Sequence, residues 1–296
     1  MEVVIAGAGS IGLLVGSYLA EAGWKVSFFT RREEQASVIR QEGIRRIDAE
    51  GTDDTVLVGA ETEIEKLPKS APWIIAVKYS GVGSILSILE ERKMDNAVMF
   101  IQNGLAHFNL AEASDLPNVF FATVEHGAGR IDDRTVSHNG IGLIRVAPFR
   151  GDEKAFDALK SVHSTTFPIE FVSDAGGIVL RKVLINCMIN PLTAILQLRN
   201  GELLEREHAR GLFDELYIEI SNAFPEMQNA LPKDAIEEVC RKTALNQSSM
   251  LKDRLNGNSM EIETIVTAVV EMAEKRGTPL PLLKTLEKIL FVLDGR

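Results

Sequence analysis

Residues 3–23 read VVIAGAGSIGLLVGSYLAEAG, and the fold turns on how this stretch is read. An apolar run leads directly into Gly7, Gly9 and Gly12, spaced G-x-G-x-x-G, and an apolar helical period follows. Strand, tight turn and helix in that order place the start of a helix at the carboxyl end of a strand, where free backbone N–H groups and the helix dipole favour an anion. The first glycine permits the turn, the second lets backbone approach a pyrophosphate, and the third lets helix pack on strand. Isolated glycines also make plain turns, but the run KVSFFT (25–30) completes a strand–helix–strand frame around these. The spacing in that frame predicts a dinucleotide site at Gly7, Ala8, Gly9, Ser10, Ile11 and Gly12.

Outward from there, WIIAVK (73–78), AVMFIQ (97–102) and VFFATV (119–124) are further apolar runs without alternation. Strands of that kind are covered on both faces, and the helical stretches between them imply a parallel sheet. GIRRIDAEGTDDTVLVG (43–59) and TVSHNGIGLIRVAP (135–148) differ, and Asn139-Gly140 predicts a hairpin in an antiparallel addition. After PIEFVSD (168–174) no strand pattern remains, and long amphipathic segments such as 209–224 and 261–277 follow. The expected class is α/β: an N-terminal Rossmann-type dinucleotide-binding domain over residues 1–172, then an all-helical domain over 173–296. A ligand is expected where the two halves meet.

After the second strand, where an NAD enzyme usually offers a carboxylate to the ribose, stand Thr30, Arg31 and Arg32. Guanidinium groups suit the 2′-phosphate of NADP instead. The alternative, that the arginines form a solvated helix start, stays open, more so for Arg32. Lys78, Asn103, Glu125 and His126 follow other strands at the same sheet edge. Lys78 suits a phosphate or ribose, Asn103 suits cofactor and substrate together, and His126 reads as a satisfied loop histidine rather than a catalytic one.

With 296 residues, 45% hydrophobic and 25% charged, the chain can bury two cores. A formal net charge of -10 argues against a nucleic-acid partner. Cys187 and Cys240 make neither a disulfide framework nor a metal spacing, so no metal is expected. The N-terminus has no basic start and long apolar run, so no export signal and a cytoplasmic location are expected. The one segment apolar enough to suggest a membrane holds Arg181, Lys182 and Pro191, which favours a buried helix and no membrane partner. Apolar faces of the C-terminal helices could pack within one chain or between two, so a homodimer is open.

The stretch RKVLINCMIN (181–190) is the other informative one. Lys182, Asn186 and Asn190 fall at i, i+4 and i+8, which makes one polar face on an apolar helix. Burying an unpaired ammonium is costly, so a polar ligand is one candidate to meet that face, and a lysine snorkelling to solvent is the other. RNGEL (199–203) and NQSSMLKDRLNGNSMEIETI (246–265) add Asn200, Ser248, Ser249, Asp253 and Glu261.

Taken together, GAGSIG (7–12), AVKYS (76–80), QNGL (102–105), RKVLINCMINPLTAI (181–195), RNGEL, NQSSMLKD (246–253) and MEIETI (260–265) resemble the ketopantoate reductases, over essentially the whole chain. The lysine-asparagine block and the Ser-Ser-Met-x-x-Asp motif are far more specific than the glycines. The resemblance implies NADPH-dependent reduction of 2-dehydropantoate (ketopantoate) to pantoate, in pantothenate and coenzyme A biosynthesis. By it, Lys182 is the catalytic lysine and Glu261 its acidic partner, also near the cofactor; Asn103, Asn186, Asn190, Asn200 and Ser249 bind substrate. Arg31, Lys78 and Asn103 match NADP contacts, and Gly127 is a more distant match. An NADP-dependent reductase of another 2-oxo or 3-hydroxy acid is the nearest rival. A non-catalytic NADPH-sensing regulator is a rival of another class, although such a protein would be expected to have lost Lys182 or Glu261.

Overall fold

A computed structural model describes residues 1–296. The chain forms two compact units, residues 1–102 with 107–178, and residues 103–106 with 179–296. The first unit contains β1 (Glu2–Ala6), α1 (Ser10–Glu21), β2 (Lys25–Phe29), α2 (Glu33–Glu42), β3 (Ile44–Asp48), β4 (Asp53–Val56), β5 (Gly59–Glu61) and β6 (Trp73–Ile75). It continues with α3 (Tyr79–Glu91), β7 (Val98–Phe100), α4 (Ala106–Ala113), β8 (Val119–Val124), β9 (Gly127–Arg130), β10 (Thr135–Gly140), β11 (Ile144–Arg150) and β12 (Ile169–Phe171).

The main sheet has the order β12-β11-β8-β7-β6-β1-β2-β5. From β5 to β8 every pair is parallel, and β11 then runs antiparallel to β8. The first crossovers leave β1 toward β2 and β5, and the later ones go the other way through β6, β7 and β8, so the order reverses between β1 and β6. Such a switch point is where an open α/β sheet leaves room for a ligand at its carboxyl edge. Val3, Val4, Ile5, Ile74, Ile75, Val98 and Phe100 are fully or almost fully buried, as strands covered on both faces require.

The second sheet, β4-β3-β10-β9, packs on α1. Its antiparallel pairs are β3–β4 and β9–β10, while β3 and β10 run parallel. The hairpin expected at Asn139-Gly140 is not there. Those residues end β10 at a register shift, where the chain leaves for the main sheet, and the actual hairpin turns at residues 131–134. Asp132 holds that turn by accepting from the N–H groups of Arg134 (2.9 Å) and Thr135 (2.7 Å), a side-chain turn that an Asn-Gly rule does not anticipate. Arg46 of β3 is only 4% exposed and reaches Glu21, Asp48 and Asp54, with its guanidinium 3.9 Å above the Tyr18 ring. A buried guanidinium met by three carboxylates and an aromatic face is satisfied, and it holds sheet to helix.

The second unit contains no strand. Its helices are most of α5 (Ala175–Leu196), then α6 (Glu202–Glu205), α7 (Glu207–Ala223), α8 (Lys233–Lys242), α9 (Ser249–Leu255), α10 (Ala268–Lys275) and α11 (Pro281–Leu293). Helix α5 is long and apolar enough to cross a bilayer, yet 67% of its apolar window is buried in protein. Ser248 caps α9 by accepting from the Leu251 N–H at 3.1 Å, and Thr193 of α5 donates to its hydroxyl at 2.7 Å. Arg254 donates to the carbonyls of Ala194 and Ile195 at the end of α5, where helical carbonyls lack partners.

Candidate active site

In the first unit the polar site is backbone. Gly7 has φ +105°, and a Cβ there would lie 2.8 Å from the Val77 nitrogen; at Gly12 a Cβ would lie 2.1 Å from the Gly7 oxygen. Neither position admits a side chain. At Gly9 a Cβ would meet nothing within 4 Å, so the missing side chain leaves open space directly before α1. No side chain caps α1 and no acidic residue sits in its first turn. The open cradle and the unspent N–H groups fit a dinucleotide pyrophosphate.

At the end of β2, Thr30 is buried and turns its hydroxyl back to the Arg32 carbonyl at 3.2 Å. Arg31 is exposed and takes part in no ion pair. Arg32, by contrast, is paired with Asp133 of the β9–β10 turn. Lys78 is exposed at the residue before α3, and Gly127 lies in the smaller sheet opposite Gly140. His126 is buried, with Nδ1 2.9 Å from His138 Nε2, and His138 Nδ1 lies 2.9 Å from the Tyr18 hydroxyl. Gly142 N–H also points at His126 Nδ1, at 3.3 Å. That ring nitrogen therefore accepts, His138 donates to it through Nε2, and Tyr18 donates to His138 Nδ1. Burial holds His138 below the ordinary histidine range, against the opposing pull of Asp48 3.5 Å from its Nδ1.

In the second unit the polar site is side chains. Lys182 and Asn186 are half-buried and Asn190 is buried, on the single face of α5 that their spacing implies. Glu261 is half-buried immediately before a helix whose residues Glu263–Thr267 form a π-turn. A π-turn shifts carbonyls out of the regular ladder and is frequent at functional sites. Here Cys187 of α5 donates its thiol to the Ile265 carbonyl at 3.2 Å, and the Leu105 N–H donates to the Thr264 carbonyl at 2.9 Å. Three distant pieces of sequence, at 103–106, 182–190 and 261–267, thus meet at one turn. Asn103 is half-buried on the first of these pieces.

Gly104 makes that docking possible. Its φ is +89°, and a Cβ would sit 2.3 Å from the Thr264 oxygen. Reading from sequence did not single out Gly104 or Thr264; the glycine inside QNGL was the available signal. Asn200 lies at a second junction, with its N–H on the Asn246 carbonyl at 3.0 Å and Nδ2 donating to Thr243 at 2.8 Å. Its Oδ1 is buried with no partner. The two serines of the Ser-Ser-Met motif divide their work: Ser248 is the buried cap, and Ser249 is exposed.

Comparison with known proteins gives the family and the fold. The family model described as ketopantoate reductase PanE/ApbA matches residues 3–151, and the one described as ketopantoate reductase PanE/ApbA C terminal matches residues 174–292. A 2-dehydropantoate 2-reductase of Listeria innocua is 39% identical over 100% of this chain and 97% of its own length. A crystal structure of a probable 2-dehydropantoate 2-reductase from Bacillus subtilis superposes with a TM-score of 0.87 at 31% identity, covering 99% of this chain and 100% of that one. The structure of a D-mandelate dehydrogenase with NADH and anilino(oxo)acetate shares the fold, with a TM-score of 0.85 at 20% identity over 100% of this chain and 99% of that one.

Proposed function

This chain belongs to the ketopantoate reductase family, and from that premise we propose that it reduces 2-dehydropantoate to pantoate with NADPH, with Lys182 as general acid. It is an oxidoreductase. The observation that carries the finer reading is the lysine-asparagine face of α5, joined through the π-turn to the Asn103 loop and to the element that follows Glu261.

Bound NADPH supplies a hydride to the C2 carbonyl carbon of the 2-oxo acid. As negative charge develops on the carbonyl oxygen, the Lys182 ammonium meets it and passes it a proton, so the product leaves as a 2-hydroxy acid. Glu261 orients the lysine or the substrate hydroxyl. Asn186, Asn190 and Ser249 bind carboxylate and hydroxyl groups as neutral partners, which adds no charge to oppose the lysine. Asn200, whose Nδ2 is taken by Thr243, has a buried Oδ1 that a substrate hydroxyl would satisfy; a buried acceptor without a donor is otherwise unfavourable. The Gly7–Gly12 loop binds the pyrophosphate, Arg31 the 2′-phosphate, and Lys78 and Asn103 the ribose and phosphate groups, with Gly127 a more distant contact. The product would feed pantothenate and coenzyme A synthesis, in the cytoplasm.

The test is the initial rate of absorbance loss at the nicotinamide band with 2-dehydropantoate, using NADPH and NADH in parallel and 2-oxoisovalerate as an alternative substrate. Fast, NADPH-preferring loss with 2-dehydropantoate is expected. Faster loss with 2-oxoisovalerate would reassign the substrate, and no loss with either, despite NADPH binding, would turn the reading toward a sensor.

A further inference from the structure

Arg31 and Arg32 are adjacent in sequence but differ in their surroundings. Arg31 has no ion-pair partner, whereas the Arg32 guanidinium is paired with the carboxylate of Asp133, which also lies 3.9 Å from Arg130. Asp133 is placed from a third direction by Gln35, a buried residue of α2. Its Nε2 donates both to the Ala8 carbonyl in the glycine loop (3.0 Å) and to the Asp133 carbonyl (2.9 Å). One amide therefore ties the dinucleotide loop to the turn whose carboxylate neutralises Arg32.

Resting on the NADPH reading above, we propose that Asp133 is a specificity-determining residue for the cofactor. Its carboxylate occupies Arg32 and faces Arg130, which leaves Arg31 as the available cation and sets a ceiling on the attraction for a 2′-phosphate. Removing that negative charge releases two guanidinium groups toward the phosphate, whereas a 2′-hydroxyl carries no charge for them to attract. The turn itself does not depend on the carboxylate, because Asp132 and Gln35 hold its backbone.

The experiment is calorimetric titration of the full chain with 2′,5′-ADP and with 5′-AMP, for wild type, Asp133→Asn and Asp133→Glu. The wild type should prefer 2′,5′-ADP, and Asp133→Asn should widen the preference by roughly three- to tenfold by tightening 2′,5′-ADP alone. Asp133→Glu should return it toward the wild-type value. If the wild type discriminates but Asp133→Asn leaves the ratio unchanged, or shifts both ligands alike, this inference is overturned while the NADPH reading stands. If the wild type itself does not discriminate, the NADPH reading fails and Asp133 loses its role with it.

Discussion

The candidate site of the first unit is built chiefly from backbone, and that of the second from side chains. Around Gly7, Gly9 and Gly12 the chain removes side chains so that N–H groups and open space remain. Along α5 and beside the π-turn it does the reverse, placing Lys182, Asn186, Asn190 and Glu261 among apolar residues. A pyrophosphate is a diffuse anion that fixed backbone dipoles hold well. A developing alkoxide needs a proton at one atom, which only a titratable side chain delivers. The contrast predicts that damage to one site should separate from damage to the other.

The largest separation should come from Lys182→Ala. Turnover is expected to fall by ~10³–10⁴-fold, while the NADPH dissociation constant changes by less than about threefold. Steady-state rates and fluorescence titration read the two effects separately, and unchanged turnover would end the assignment of Lys182.

Gly104 is the place where the contrast could break, since it is a backbone requirement inside the side-chain site. Gly104→Ala combines a positive φ with a clash against the Thr264 oxygen, and should cost about 1–3 kcal/mol in denaturant unfolding and lower turnover by displacing Asn103. Gly9→Ala should do the opposite, weakening NADPH about tenfold or more with stability unchanged within ~0.5 kcal/mol, because its Cβ enters open space. If the two variants behave alike, the distinction between a cradle and a docking point is wrong. Smaller still, Arg31→Ala should weaken NADPH by ~10-fold and NADH by less than about threefold; equal losses would reject the 2′-phosphate role.

An effect of similar size concerns a polar group buried for packing alone. His107 is 1% exposed among Phe100 and Phe121, and neither ring nitrogen has a partner. Burial lowers its pKa from 6.5 to about 3. The folded pKa lies below the unfolded one, so its contribution is fully present above pH 6.5 and is lost as pH falls toward 3. At pH 5.5 the expected loss is about 1.3 kcal/mol relative to neutral pH, and His107→Phe should flatten the stability–pH curve over that window. An equally steep curve in the variant would show that other groups carry the dependence.

How much of this was readable in advance depends on whether the information is local. The glycine spacing and the Lys182, Asn186, Asn190 stripe are short-range patterns, fixed by one turn or one helical period, and the structure has both. The parallel strands were legible because burial on both faces removes polar alternation. The hairpin misplaced at Asn139-Gly140 has the opposite cause: turn propensity is weak, and strand pairing with two different sheets overrode it. By itself, then, the sequence determined the glycine loop, the α/β then all-helical order and the polar face of α5. Only tertiary structure decided that the loop at 103–106 docks on the carbonyl of Thr264, that Ser248 rather than Ser249 is the cap, and that Asp133 holds Arg32. The first and the last are contacts between residues far apart in the chain, and the Ser248 hydroxyl also accepts from the distant Thr193; no local periodicity encodes which distant partner a carbonyl, a hydroxyl or a guanidinium will meet.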